Sequence, residues 1–174
     1  DRVKDLLVTA GLQEVLTYRL TTPEREAALV PGGPSEPPPY VRLANPISAE
    51  RTVLRRTLLH GLLEVMGLNA RVRQRIWCFE VGPVFLPAGR GLPEEPRRLA
   101  IGLRGPLVPP SWLAPEPPPS DFYALKGVVE ALLAGLHIPA ARFEPVAHPT
   151  FTPGRAARLL LGGASVGALG EVNP

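Results

Sequence analysis

The chain has 174 residues, 45% of them hydrophobic and 20% charged, with a formal net charge of +3 and one cysteine. That is chain enough for one domain burying roughly 70% of its unfolded surface, while the lone Cys78 excludes an internal disulfide framework or a thiolate metal cluster. No apolar run approaches the ~20 residues a bilayer-spanning helix needs and no leader precedes Asp1, so no membrane association and a cytoplasmic setting are expected.

Val3, Leu6, Leu7 and Ala10 keep helical spacing, with Gly11 placed to stop the helix. Val15 to Leu20 reads as a strand. Thr22 and Pro23 read as the N-cap and first-turn proline of a short helix reaching Val30. Proline and glycine make 31–39 a loop, and Tyr40 to Leu43 resumes a strand before Asn45-Pro46. Thr57 to Arg71 is the next helix, with Leu59, Leu62, Leu63, Met66 and Ala70 on one face. Arg71, Arg73 and Arg75 sit at its end, where positive charge suits the helix dipole.

Ile76 to Leu86 and Arg97 to Leu103 read as a hairpin with a long Gly/Pro loop at 87–96. Residues 106–120 are proline-dense and read as a surface excursion, where the chain would divide if it has two subdomains. Ser120 or Asp121 then caps a helix whose stripe is Leu125, Val128, Val129, Leu132, Leu133 and Leu136. Arg142 to Val146, Ala157 to Leu161 and Ser165 to Leu169 close the chain as strands, the last two joined by Gly162-Gly163. Strands outnumber crossover helices, so the fold class is α+β, an antiparallel β-sheet flanked by helices.

Chemistry is sparse. His60, His137 and His148 have no His or Cys partner at ligand spacing, so no metal site is expected; His60 reads as a boundary residue and His137 as a helix-end cap. Cys78 lies in an apolar strand and reads as a buried, inert thiol. The serines lack a nucleophile-elbow context. The glycine string 162–170 has no Lys-Ser/Thr behind it and reads as a hairpin rather than a phosphate loop, with Arg155 and Arg158 beside it. The 19 basic residues include only Lys4 and Lys126 as lysines. The arginines are scattered without interleaved aromatics, which favours a compositional bias over a nucleic-acid surface. What remains is Arg55 and Arg56 at a helix mouth and Glu80 inside a strand: an anion pocket, its relic, or an ion pair tying helix to sheet.

Four blocks in order carry a family resemblance: residues 45–64, Phe79-Glu-Val-Gly-Pro-Val-Phe85, Asp121 to Leu133, and Pro153 to Arg158 closing on 170–174. Together they resemble the bacterial phenylalanyl-tRNA synthetase β subunit, in its catalytic-like module of class II aminoacyl-tRNA synthetase fold. The resemblance implies a single non-catalytic module over 1–174. That module packs on the catalytic α subunit in an (αβ)2 heterotetramer, with ATP and Mg2+ held by the α subunit and tRNA reached through the holoenzyme. Leu86 and Pro87 stand where active class II members place an ATP-gripping Arg, and Val172 stands where their glycine-rich motif ends in Arg. No catalytic residue is therefore expected. Arg55, Arg56 and Glu80 are the vestigial-pocket candidates, and Leu6, Leu7, Leu59, Leu62, Leu63 and Met66 are candidates for subunit contact as well as core. The rival expectations are an active ATP-dependent class II-like enzyme and a tRNA-binding module.

Overall fold

A computed structural model describes residues 1–30, 38–89, 91–139 and 141–173, so most of the expected 31–39 loop lies outside the described residues. Among them the chain runs α1 (Arg2–Thr9), β1 (Gln13–Glu14), β2 (Leu20–Thr21), α2 (Pro23–Ala27), β3 (Val53–Leu54) and α3 (Leu59–Asn69). It continues through β4 (Ile76–Pro83), β5 (Arg97–Arg104), α4 (Phe122–Gly135), β6 (Ala141–Pro145), β7 (Phe151–Leu161) and β8 (Ala164–Val172). The architecture is α+β with largely antiparallel sheets, ordered β1-β4-β5, β2-β3 and β6-β7-β8. One pairing departs from the expectation: β1 runs parallel to β4, with Gln13 opposite Cys78.

The β4–β5 hairpin is the middle layer, with Ile76 opposite Arg104 and Pro83 opposite Arg97. Side chains alternate across a strand, and here each face has its own helices. Trp77, Phe79 and Val81, with Ile101 and Leu103 from β5, pack against Leu7 of α1 and Val128 and Leu132 of α4. Ile76 and Cys78, with Ala100, pack against Leu62 and Met66 of α3. Covering both faces explains why β4 is apolar almost throughout rather than alternating. Phe79 and Leu62 are fully enclosed, and burial on this scale stabilises by about 1.5–3 kcal/mol per side chain. Glu80 and Gly82 continue the α3 face of β4, which puts a carboxylate inside the core.

Capping follows the sequence closely. Thr22 Oγ1 accepts from Arg25 N at 3.4 Å and Asp121 Oδ1 from Ala124 N at 2.8 Å. At the end of α1, Gly11 has φ 86° and its N–H and that of Leu12 return to the Val8 and Leu7 carbonyls. The end of α4 repeats this pattern with His137 at φ 56°, its N–H on Ala134 O and that of Ile138 on Leu133 O. Both are left-handed terminations that satisfy the last carbonyls. Gly162 and Gly163, at φ 56° and 87°, make the tight β7–β8 turn.

Val15 to Leu20 does not form the single strand that its composition suggests. Val15 N still donates to Phe79 O, but at Thr17 the partner becomes the Glu80 carboxylate instead of a backbone carbonyl, and the ladder stops. Tyr40 to Leu43 is likewise reduced to a bridge between Arg42 and Val53.

Candidate functional site

Arg55 follows β3 and is fixed through its backbone from two sides. Its N–H donates to Arg19 O and its carbonyl accepts from Phe85 N. The side chain therefore enters the α3 face of β4, where Nη1 lies 2.7 Å from Glu80 Oε1 and 2.8 Å from Thr17 Oγ1. Nε donates to Pro83 O at 3.1 Å, and the Thr17 hydroxyl donates to Glu80 Oε2 at 2.7 Å. The paired side chains are 5% and 2% exposed. Two glycines make room: a Cβ at Gly82 would lie 2.6 Å from Arg55 Nη2, and one at Gly61 of α3 would lie 2.5 Å from Thr17 Oγ1. Ionised groups this deep persist because each is neutralised and hydrogen-bonded.

Of the three pocket candidates, Arg55 and Glu80 meet as an ion pair and Arg56 does not join them. Arg56 turns away from Arg55, lying 5.7 Å from the Tyr40 ring centroid and donating its guanidinium to Pro39 O. Its backbone N–H instead meets Glu26 Oε1 at 2.9 Å, and that of Thr57 meets the same oxygen at 3.4 Å. Glu26 thus gathers the N–H groups that precede α3. Burial raises its carboxyl above the usual range, opposed by those two N–H donors and the Tyr40 hydroxyl. Burial and the Glu26 charge push Tyr40 up to about 12.

Thr17 and Glu26 are the residues that sequence reasoning missed. Thr17 had a faint signal, a hydroxyl between Leu16 and Tyr18 in an apolar run. Glu26 had none, because its partners lie 30 and 31 residues along the chain.

The cluster does not suit ATP and Mg2+. Both Glu80 oxygens already accept from protein donors, and the arginine opposite them is 4% exposed. Among the described residues no three His, Cys, Asp or Glu side chains are placed to hold a metal ion. Cys78 is buried, its thiol pushed up to about 11 by that burial. His148 stacks on Phe151 at 4.6 Å, and His137 closes α4 with its ring beside Arg2. Arg155 and Arg158 pair with Glu171 and Glu144.

The helix stripes proposed for subunit contact are largely internal. Leu7, Leu62 and Met66 lie in this chain's own core and cannot meet a partner without unfolding it. Leu6, Leu59 and Leu63 are half-buried. The exposed apolar side chains lie elsewhere. Because Thr17 points inward, Leu16 and Tyr18 point out, 80% and 72% exposed. Ile47 is also exposed, in a turn held to the same segment by Thr52 N on Thr21 O and by Arg51, 3.8 Å over the Tyr18 ring.

The family model described as the phenylalanyl tRNA synthetase beta chain CLM domain matches residues 1–174. The chain belongs to this family. Curated β-subunit relatives of phenylalanine–tRNA ligase agree: the one from Symbiobacterium thermophilum is 45% identical over 97% of the chain, covering 19% of its own length. Those from Moorella thermoacetica and Dechloromonas aromatica are 39% and 37% identical, covering 98% and 99% of the chain. The chain thus spans about a fifth of the length of these relatives. Two structures of pyrrolysyl-tRNA synthetase from Desulfitobacterium hafniense superpose with TM-scores of 0.62 and 0.66, each over 94% of the chain. They cover 52% and 54% of those chains at 15% and 16% identity, which shows the class II synthetase fold and no more. In this chain the Arg55–Glu80 pair is an internal strut between β4 and the segment that follows β3.

Proposed function

We propose that the chain, as one module over residues 1–174, is a structural part of a cytoplasmic phenylalanine–tRNA ligase and forms no aminoacyl adenylate itself. It packs on the catalytic α subunit of an (αβ)2 heterotetramer, where ATP and Mg2+ act, and serves phenylalanylation of tRNA through that assembly. The observation that carries the reading is the Arg55–Thr17–Glu80 network. An adenylate-forming site needs a cation available to phosphate and carboxylates available to metal, and here the two satisfy each other.

The contact surface that fits this role is the outward face of Leu16 and Tyr18, with Ile47 in the neighbouring turn. Large exposed apolar side chains gathered on one face suit a partner surface. The test is co-expression of the full-length β chain with its α subunit, with mass read by light scattering. The expected result is one stable complex that Leu16→Glu with Tyr18→Glu splits. Separate subunits in the unmutated pair, or micromolar ATP–Mg2+ binding to the β chain alone by calorimetry, would overturn the proposal.

A further inference from the structure

An open groove of about 510 Å³ runs past the end of α3, lined by Ala70, Arg71, Val72, Arg73, Gln74 and Arg104. Its guanidinium groups come from two distant stretches, the turn after α3 and the last residue of β5. They are brought together because the chain at Gly105 passes very close to the Gln74 carbonyl. Gly105 has φ 90°, and a Cβ there would fall onto the Gln74 backbone oxygen. The wall behind is fixed too: Arg75 lies 4.0 Å over the Trp77 ring and donates to Pro106 O at 3.2 Å.

Arg71, Arg73 and Arg104 are exposed, and among the described residues none of them has a carboxylate within ion-pair distance or donates a side-chain hydrogen bond. Arginines near other carboxylates in this chain do pair: Arg155 with Glu171, Arg158 with Glu144, Arg25 with Glu50 and Glu64, Arg97 with Asp1. The helix dipole accounts for Arg71 and Arg73, yet not for Arg104, which arrives from the sheet. Three planar forks along one open groove match successive phosphates better than a single enclosed anion. The Trp77 face is already covered by Arg75, so no aromatic platform for a base is offered here.

We infer that this groove binds the phosphodiester backbone of an RNA, through Arg71, Arg73 and Arg104, without reading its sequence. The choice of RNA over another polyphosphate rests on the role in phenylalanine–tRNA ligase proposed above.

The test uses the full-length β chain as purified with its α subunit, titrated with fluorescently labelled tRNA between 50 and about 300 mM salt. The comparison is a triple variant, Arg71→Gln, Arg73→Gln and Arg104→Gln, with unchanged thermal melting as the control for folding. Each lost phosphate contact flattens the salt dependence by ~0.7–0.9, so the expected change in the log–log slope is about 2–3. Replacing the same three residues by Lys should keep most of the slope, and unlabelled RNA of unrelated sequence should compete.

An unchanged slope in the Gln variant overturns the inference. So does competition by millimolar inorganic phosphate, which would indicate a free-phosphate site, or variant-sensitive binding to vesicles of anionic lipid without variant-sensitive tRNA binding. If the α subunit does not co-purify, the same titration on the β chain alone still reads the groove. Failure of the assembly and failure of the groove are thereby separated.

Discussion

Two arginine–glutamate pairs in this chain have the same 2.7 Å separation and opposite surroundings. Arg55–Glu80 joins side chains 5% and 2% exposed, while Arg158–Glu144 joins side chains 49% and 43% exposed across β7 and β6. At the surface, water screens both charges and replaces either partner when it is lost. In the core, each charge depends on the other and on Thr17, because no solvent stands in for a missing partner. Distance is therefore a poor guide to what an ion pair does; the medium around it decides. The difference also has functional meaning. The deep pair gives up its availability to ligand in return for locking 17, 55 and 80 together, and the surface pair constrains little.

Removing the buried acid has the largest expected effect. Glu80→Ala leaves the Arg55 guanidinium uncompensated and should cost on the order of 3–5 kcal/mol in urea denaturation. Replacing both partners, as Arg55→Met with Glu80→Leu, should recover most of that loss. Thr17→Val comes next: it keeps the shape but removes the hydroxyl between the charges, for about 1–3 kcal/mol. Glu144→Ala should cost at most about 1 kcal/mol and vanish in high salt, whereas the Glu80→Ala loss should persist there. If the urea curves of Glu80→Ala and Glu144→Ala coincide, burial is not what separates the two pairs.

The smallest effect is confined to acid pH. Burial lowers the His60 pKa below 6.5, against the raising influence of Glu64 and with that of Arg25. With the folded value depressed, the unfolded chain binds the proton more readily, and stability falls as pH drops through that window. Melting temperatures between pH 8 and 5 should fall further for the unmutated chain than for His60→Gln. A folded-state His60 titration by NMR at or above 6.5 would remove the basis for this difference.

Much of the fold is written locally. Thr22-Pro23, Asp121, Gly11 and Gly162-Gly163 each act through hydrogen bonds or dihedral angles within a few residues, and helix spacing marks α3 and α4. The β4–β5 hairpin was equally legible, since its two apolar runs flank a glycine- and proline-bearing loop. The candidate site was legible only in part. Arg55 and Glu80 stood out as charges in apolar company, but their partner Thr17 lies 63 residues from Glu80. Arg56 was misplaced because adjacency in sequence says nothing about direction: the chain at 55–56 sends one side chain into the core and the next to Pro39. The leucine stripes were real, but a stripe marks a buried face without saying what buries it, and Leu7, Leu62 and Met66 were claimed by this chain's own strands and helices.

The placement of α1 bears on how the chain comes to be folded during its synthesis. Its first residue, Arg2, donates to Gly135 O at 2.6 and 3.1 Å, and Leu6 rests where Gly135 lacks a side chain. Its Leu7 packs with Phe79, Val128 and Leu132. None of these partners has left the ribosome when α1 emerges, and at ~5–20 residues per second the wait for α4 is about 6 to 26 seconds. An isolated eight-residue helix is too short to persist in water on its own. Within this module the earlier-made α1 is therefore among the last elements to find its place, and its leucines wait for α4 before this packing can form.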